Sequence, residues 1–245
     1  MPQNLLMISG LYATGKSASL KNLRDPEGVL YISTESNKPL PFPHKFKTID
    51  GGLQDPEDIL FYFAEAEKMP GIHTIVIDSI DFLMDMFESQ KVLTARDSRA
   101  MWGEYNQFFK KIMQDHVATS SKNWIFISHL AQEQISDLEY KFYVPVKGAL
   151  KNTSVEAYFS VIVYARKVKV KDLEAEPYDD KLLTITDRDR KLGFKYVFQV
   201  DITKEFTNSG IRGLMGMWSD QQTFMDNDVQ KLLDHMTEFY KNNGE

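Results

Sequence analysis

Short apolar runs alternate with longer amphipathic stretches along this chain. Runs bounded by Gly, Pro or Asp predict strands, and stretches whose apolar residues recur near one helical face predict helices. Such alternation is typical of a parallel sheet with helices on both faces, so we predict an α/β fold with a mainly parallel, twisted sheet. The predicted strands are residues 5–9, 28–33, 73–78, 124–128 and 158–165, and the predicted helices are 56–68, 101–117 and about 227–240.

Two further apolar runs lie near the C-terminal end. Residues 182–186 and 196–202 predict an antiparallel hairpin at the sheet edge. The acidic, Pro177-containing stretch 172–181 predicts an exposed loop. No repeat or linker interrupts the pattern, so we expect one domain over residues 1–245.

The composition of the chain excludes several classes of protein. The chain has no cysteine, which excludes disulfides, zinc ribbons and thiol nucleophiles. No apolar run approaches the roughly 18 residues of a membrane helix, and the start lacks a signal pattern. We therefore expect a soluble, cytoplasmic protein without a membrane partner.

Charge is distributed unevenly along the chain. The net charge of −6 argues against a non-specific coat for nucleic acid. Residues 50–90 carry ten acidic groups against one lysine, whereas 139–171 carry seven basic groups against two acidic ones. We expect one acidic and one basic face.

The segment after the first predicted strand matches G-x-x-x-x-G-K-[ST] and leads into a helix-competent stretch from Lys16. Its glycines let backbone N–H groups turn inward around phosphates, Lys16 supplies a positive charge, and the Ser17 hydroxyl ligates Mg²⁺. The N-terminal end of the following helix favours the anion. The pattern predicts binding of a nucleoside triphosphate, ATP, with Mg²⁺. The predicted nucleotide-binding residues are Gly10, Leu11, Tyr12, Ala13, Thr14, Gly15, Lys16, Ser17 and Ala18.

An acidic residue ends the third predicted strand. Asp78 lies at the carboxyl end, where doubly wound folds place their ligands. There it can hold magnesium alongside Ser17. The alternative is an aspartate that caps a helix starting at Ser79.

Polar residues also follow the second and fourth predicted strands. Glu35 lies nineteen positions after Lys16, where a carboxylate can orient or deprotonate the attacking water; the alternative is a solvated loop glutamate. His129 can sense the γ-phosphate, or it is an ordinary strand-end histidine.

In this order, the phosphate loop, Glu35, Asp78 and His129 resemble the RecA-type ATPase core of recombinases, over most of the chain. The resemblance implies a RecA-like P-loop NTPase fold in which Glu35 activates water, Asp78 holds magnesium and His129 stands where glutamine is usual. The implied catalytic residues are Glu35, Lys16 and His129. That family follows its sensor with a mobile DNA-contacting loop and a Gly-x-Ala-Leu-Lys-like helix, which residues 130–146 and 147–151 resemble.

More narrowly, the short length and the ending, with Arg-Gly-Leu-Met-Gly-Met-Trp at 212–218 before Asp-Asn-Asp at 226–228, look like the small phage-encoded RecA-like proteins that assist single-strand annealing, the Sak group. This resemblance implies a DNA-stimulated ATPase that acts on single-stranded DNA in recombination or annealing, in the host cytoplasm. It also implies a homo-oligomer, as a ring or filament, and a single-strand-binding protein as partner. Because the phosphate loop begins at residue 10, we expect no N-terminal polymerisation arm.

A stretch that interleaves aromatic rings with lysines is the candidate DNA contact. Rings stack on bases for about 1–3 kcal/mol each, and lysines bind phosphates in a salt-dependent way. The predicted contacts are Tyr140, Lys141, Phe142 and Tyr143; the alternative is that the rings pack and the lysines are solvated. Lys147 and Lys151 match family lysines that reach the ATP of a neighbouring subunit, and Arg212 is a further candidate for this role.

Two other function classes fit the phosphate loop. A small-molecule or nucleoside kinase uses the same loop, with Glu35 as base and the charged cluster at 187–191 as lid. A non-enzymatic adaptor binds ATP only to order a loop for a protein partner.

Overall fold

The computed structural model describes residues 4–35, 38–136, 139–175 and 177–243, except for the side chains of Glu205 and Asn243. Among these residues, no helix is both long and apolar enough to span a bilayer. The described strands are β1 (Leu5–Gly10), β2 (Val29–Ser33), β3 (Lys47–Thr48), β4 (Thr74–Asp78), β5 (Asn123–His129), β6 (Ala131–Gln134), β7 (Tyr140–Tyr143), β8 (Val161–Lys169), β9 (Phe194–Gln199) and β10 (Phe224–Asp226). The described α-helices are α1 (Asp58–Lys68), α2 (Ile80–Phe87), α3 (Ser98–Lys111), α4 (Leu150–Thr153), α5 (Val170–Leu173), α6 (Asp187–Leu192) and α7 (Val229–Asn243).

The chain divides into two compact units. As far as the chain is described, the first contains residues 4–7, 25–129 and 144–159, and the second contains 8–24, 130–143 and 160–243. The prediction of a single domain stays a prediction.

The first unit holds the parallel part of the fold, with strand order β3-β2-β4-β5-β1. Strand β4 is buried along its whole length because Thr74–Asp78 is an unbroken run of apolar or β-branched residues up to its final aspartate. In the parallel register, Ser33 pairs with Asp78, and Asp78 pairs with Ile127. Glu35 and His129, each two residues farther along, therefore emerge at the same strand ends as Asp78.

Helices of the first unit bury one face each. In α1, Ile59, Phe63 and Ala66 recur at helical spacing and are buried. In α2, the buried set is Ile80, Asp81, Leu83, Met84 and Phe87. An aspartate among these apolar residues requires buried hydrogen-bond partners.

The second unit holds the antiparallel part, with strand order β10-β9-β8-β1. Ala165 of β8 pairs with Phe198 of β9, which pairs in turn with Met225 of β10. The expected antiparallel edge is therefore present, and the α/β fold class with mostly parallel strands is confirmed.

The prediction that residues 196–202 pair with residues 182–186 is wrong. Residues 182–186 form no strand, although Leu183 and Ile185 are buried, in a cluster with Val170, Leu173 and Val197. Helix α6 follows directly, and its capping box between Thr186 and Asp189 fixes the backbone there. An irregular segment can thus bury apolar residues at alternating positions, and its sequence pattern is the same as that of a strand.

Other predicted elements shift in extent. The helix expected from Lys16 is a short 3₁₀-helix, Ser17–Asn22. The loop predicted at 130–146 contains the antiparallel pair β6 and β7. The strand predicted at 158–165 begins at Val161 and extends to Lys169.

Candidate nucleotide site

The phosphate loop lies in the second unit and wraps around its own lysine. Lys16 is only 6% exposed, and its Nζ donates hydrogen bonds to the carbonyls of Gly10 (3.0 Å) and Leu11 (2.9 Å). The Thr14 hydroxyl donates to the same Leu11 carbonyl at 2.8 Å. These bonds hold the Gly10 and Leu11 carbonyls toward the side chains of Lys16 and Thr14. A loop of this sequence pattern offers backbone N–H groups to a phosphate.

The two glycines of the loop are required for different reasons. Gly15 has φ +88°, in the left-handed region that favours glycine. A Cβ on Gly10 would lie 2.6 Å from the carbonyl oxygen of Ala165 in β8, so close backbone approach requires glycine there. The sequence pattern contains both glycines. Only the structure shows that Gly15 is required for its backbone conformation and Gly10 for the close approach of β8.

Asp78 lies in the first unit and is 3% exposed. The Tyr31 hydroxyl donates to its Oδ2 at 2.8 Å. Burial, and next the charge of Asp78, raise the pKa of Tyr31 well above its usual range, so this tyrosine stays a donor. The Thr34 hydroxyl and the Ser79 backbone exchange hydrogen bonds of 2.7 and 2.8 Å, which fix the turn after β4.

His129 lies between two carboxylates of the first unit. Its Nδ1 is 3.0 Å from Asp81 Oδ2, and its backbone N–H donates to Asp81 Oδ1 at 2.9 Å. Its Nε2 is 3.6 Å from Glu35 Oε1, and Glu35 Oε2 pairs with Lys38 at 3.1 Å. The structure therefore brings together the predicted residues Glu35 and His129.

Asp81 is a functional candidate that sequence reasoning missed. Burial raises its pKa, but the hydrogen bonds from the His129 side chain and backbone outweigh burial, so the pKa is lowered. A charged Asp81 holds Nδ1–H of the imidazole and leaves Nε2 facing Glu35. The spacing Asp78-Ser-Ile-Asp81, an acid on the apolar face of a helix, was the available signal.

A comparison with protein families decides the identity of the core. The family model described as an AAA domain matches residues 3–195, from before the phosphate loop to the start of β9. The chain belongs to this AAA-domain family. None of the curated proteins matches the chain. The AAA domain is a P-loop ATPase domain, which agrees with the phosphate loop described above.

The predicted DNA contacts of this AAA domain lie on the hairpin of β6 and β7, in the second unit. Tyr140 and Lys141 are exposed. Tyr143 is half-buried, with the Lys141 ammonium 5.9 Å from its ring centroid. Phe142, in contrast, stacks on Phe206 at 4.8 Å between ring centroids, and its N–H donates to the Asn208 carbonyl. Phe142 therefore anchors the hairpin by packing.

A cavity of about 360 Å³ lies beside the phosphate loop in the second unit. Leu11, Tyr12 and Thr14 line it from the loop, and Gln132 and Phe142 line it from the hairpin. Arg166 and Phe206 also line it, with the Arg166 guanidinium 3.8 Å from the Phe206 ring centroid. The phosphate loop and the hairpin thus share the walls of one cavity.

The candidate trans-subunit residues differ in their surroundings. The Lys147 ammonium pairs with Glu88, 2.5 Å away, within the first unit, and that hydrogen bond raises the pKa of Lys147. Lys151 is exposed on α4, and Arg212 is exposed while its backbone bridges to Ile162. The charged cluster at 187–191, which the kinase alternative takes as a lid, lies in α6, where Arg190 pairs with Glu174 at 2.9 Å.

Proposed function

We propose that this AAA domain binds and hydrolyses ATP with Mg²⁺. The observation that carries the proposal is the complete phosphate loop wrapped around the buried Lys16, in a chain of the AAA-domain family. Lys16 supplies positive charge to the phosphates. The Ser17 hydroxyl and the Asp78 carboxylate are hard oxygen donors that suit Mg²⁺. Bound Mg²⁺ would neutralise charge on the β- and γ-phosphate oxygens.

Glu35 is the proposed base that orients or deprotonates the attacking water. Its side chain is 14% exposed, so the carboxylate is shielded on most sides while solvent still reaches it. Lys38 donates to one of its carboxylate oxygens at 3.1 Å, and His129 Nε2 lies 3.6 Å from the other. Ordered carboxylates suit this task because water attack depends on alignment.

We also propose that single-stranded DNA stimulates turnover. Support comes from the resemblance to RecA-type and Sak-group proteins and from the hairpin, where Tyr140, Lys141 and Tyr143 combine rings with positive charge. The hairpin and the phosphate loop also line one cavity, with Gln132 and Phe142 on the hairpin side, which supports coupling between the hairpin and the loop. A role in recombination or annealing, a homo-oligomer and a single-strand-binding partner belong to the same proposal.

The test is phosphate release from ATP with Mg²⁺, with and without single-stranded DNA, at low and moderate salt. Turnover that DNA stimulates, and whose stimulation fades with salt, supports the full proposal. Turnover indifferent to DNA refutes the DNA part and calls for a kinase assay with nucleosides. Tight ATP binding without turnover refutes hydrolysis and favours an ATP-gated adaptor.

A further inference from the structure

The carbonyl oxygen of Gly15 in the phosphate loop accepts two hydrogen bonds. The first comes from the Ser19 N–H at 3.0 Å and closes the turn that follows the loop. The second comes from Asn227 Nδ2 at 2.9 Å, across 212 positions of sequence. Both residues belong to the second unit. A carbonyl oxygen has two lone pairs, so these donors satisfy it fully.

This carbonyl controls the direction of a phosphate-binding group. The peptide unit between Gly15 and Lys16 is planar, and in the usual trans form its C=O and N–H point in opposite directions. A donor that holds the Gly15 carbonyl on one side of the loop therefore holds the Lys16 N–H on the other. Inward-pointing N–H groups at this position are what a phosphate loop offers to its anion.

Asn227 is packed against the glycine as well as bonded to it. A Cβ on Gly15 would lie 2.6 Å from Asn227 Nδ2 and 3.2 Å from the Tyr196 ring. Asn227 thus occupies the space that any larger side chain at position 15 would need. The amide is within reach of the Gly15 carbonyl only because of this close approach.

The backbone on both sides of Asn227 is fixed. Asp226 ends β10 and pairs with Lys231 at 2.8 Å. Asp228 Oδ1 accepts from the N–H groups of Gln230 and Lys231 at 2.9 and 3.2 Å, which caps the start of α7. Val229 and Leu232 of α7 are fully buried. Asn227 is therefore presented by a rigid junction, which limits the entropy lost when its amide makes the bond.

Residues 228–234, which follow Asn227, accept hydrogen bonds from the turn after the phosphate loop. Asn22 Nδ2 donates to Asp228 Oδ2 at 2.6 Å. The Arg24 backbone N–H donates to Gln230 at 2.9 Å, and its guanidinium binds both oxygens of Asp234 at 2.8 and 2.7 Å. The 3₁₀-helix Ser17–Asn22 is short, so these contacts supply support that a longer helix would otherwise give.

We propose that Asn227 is a positioning residue for ATP binding, and that residues 226–234 form a C-terminal clamp on the phosphate loop. The clamp lies beyond residue 195, where the match to the AAA domain ends. In this chain, the geometry of the phosphate loop therefore depends on residues outside the matched segment. The inference rests on ATP binding at the loop and not on hydrolysis.

The experiment measures equilibrium affinity for ATP with Mg²⁺ in the full chain. Asn227→Asp keeps the shape of the side chain but replaces the donating NH₂ group with an accepting oxygen. Asn227→Ala removes the whole amide group. We expect the Kd to rise about three- to tenfold for Asn227→Ala, as for the loss of one hydrogen bond, and at least as much for Asn227→Asp. The matched control is Asn242→Asp, the same substitution at an exposed position of α7 that lies outside the clamp; we expect unchanged affinity.

Thermal unfolding separates positioning from general stability. The proposal requires that Asn227→Asp is fully folded at the temperature of the binding assay and loses affinity, while Asn242→Asp keeps wild-type affinity. Wild-type affinity in Asn227→Asp overturns it, and so does an equal loss of affinity in Asn242→Asp. A wild-type protein that binds ATP without hydrolysing it refutes the proposed ATPase activity and leaves this affinity test intact.

Discussion

Asp81 binds His129 through both of its carboxylate oxygens, one to the backbone N–H at 2.9 Å and one to the imidazole Nδ1 at 3.0 Å. Two bonds fix the position of the residue and the rotation of its ring together. With Nδ1 held, Nε2 lies 3.6 Å from Glu35, the proposed water-activating carboxylate. Asp81 therefore holds the ring that faces Glu35.

Asp81→Asn should slow ATP turnover without weakening ATP binding. The amide cannot accept both bonds with the strength of a carboxylate, so the ring loses its fixed orientation beside Glu35. We expect kcat to fall about ten- to a hundredfold, as for small misplacements of catalytic groups. Steady-state phosphate release gives kcat and KM. Asp85→Asn, an exposed change on the same helix, is the control, and equal losses in both variants would contradict the assignment.

The stability contribution of Asp81 should depend on pH. Its pKa is lowered in the folded protein, so its contribution is complete above the unfolded value of about 3.9 and is lost as pH falls through the lower folded value. The amide that replaces this carboxylate in Asp81→Asn does not titrate. The difference in thermal midpoint between wild type and Asp81→Asn should therefore shrink below about pH 4. A difference that stays constant from about pH 6 to about pH 3 would show that the charge of Asp81 does not stabilise the fold.

Removing Lys141 and Tyr143 together should weaken binding of single-stranded DNA. The double variant Lys141→Ala, Tyr143→Ala loses one phosphate contact and one stacking ring. A salt titration of DNA affinity should show at least a tenfold loss at low salt and a shallower salt dependence, with basal turnover unchanged. Lys171→Ala, which removes an exposed lysine elsewhere in the second unit, is the control. Wild-type DNA affinity in the double variant would place the DNA site elsewhere.

Local patterns predicted those parts of the fold that local physics determines. The strand that ends at Asp78 is a continuous apolar run bounded by polar residues, and the structure has it at Thr74–Asp78. The phosphate loop follows from fixed spacing, because its glycines and lysine act within eight residues. The sequence placed Glu35 and His129 only after two separate strands; they lie close together because parallel strand ends share one edge of the sheet.

Long-range partners were not predictable in the same way. Asp81 looked like a helix residue of α2, since its partner His129 is 48 positions away. Asn227 belongs to the motif at 226–228 that carries the Sak-group resemblance, but the motif did not predict its contact with Gly15, which depends on where β10 and α7 meet. The segment 182–186 was misassigned because burial against Val170 and Val197 produces the same apolar pattern as a strand. Each miss involves a contact that only tertiary packing creates.

The most direct measurement compares wild type with Glu35→Gln in two assays, ATP binding and phosphate release with Mg²⁺. The variant keeps the shape of the side chain but loses the carboxylate that would orient or deprotonate water. The account predicts ATP affinity within about twofold of wild type and at least a hundredfold loss of phosphate release, within the range that removing a general base produces. Lys16→Ala, which should lose ATP binding itself, calibrates the binding assay. Phosphate release by Glu35→Gln at the wild-type rate would contradict the central claim that Glu35 activates water for ATP hydrolysis.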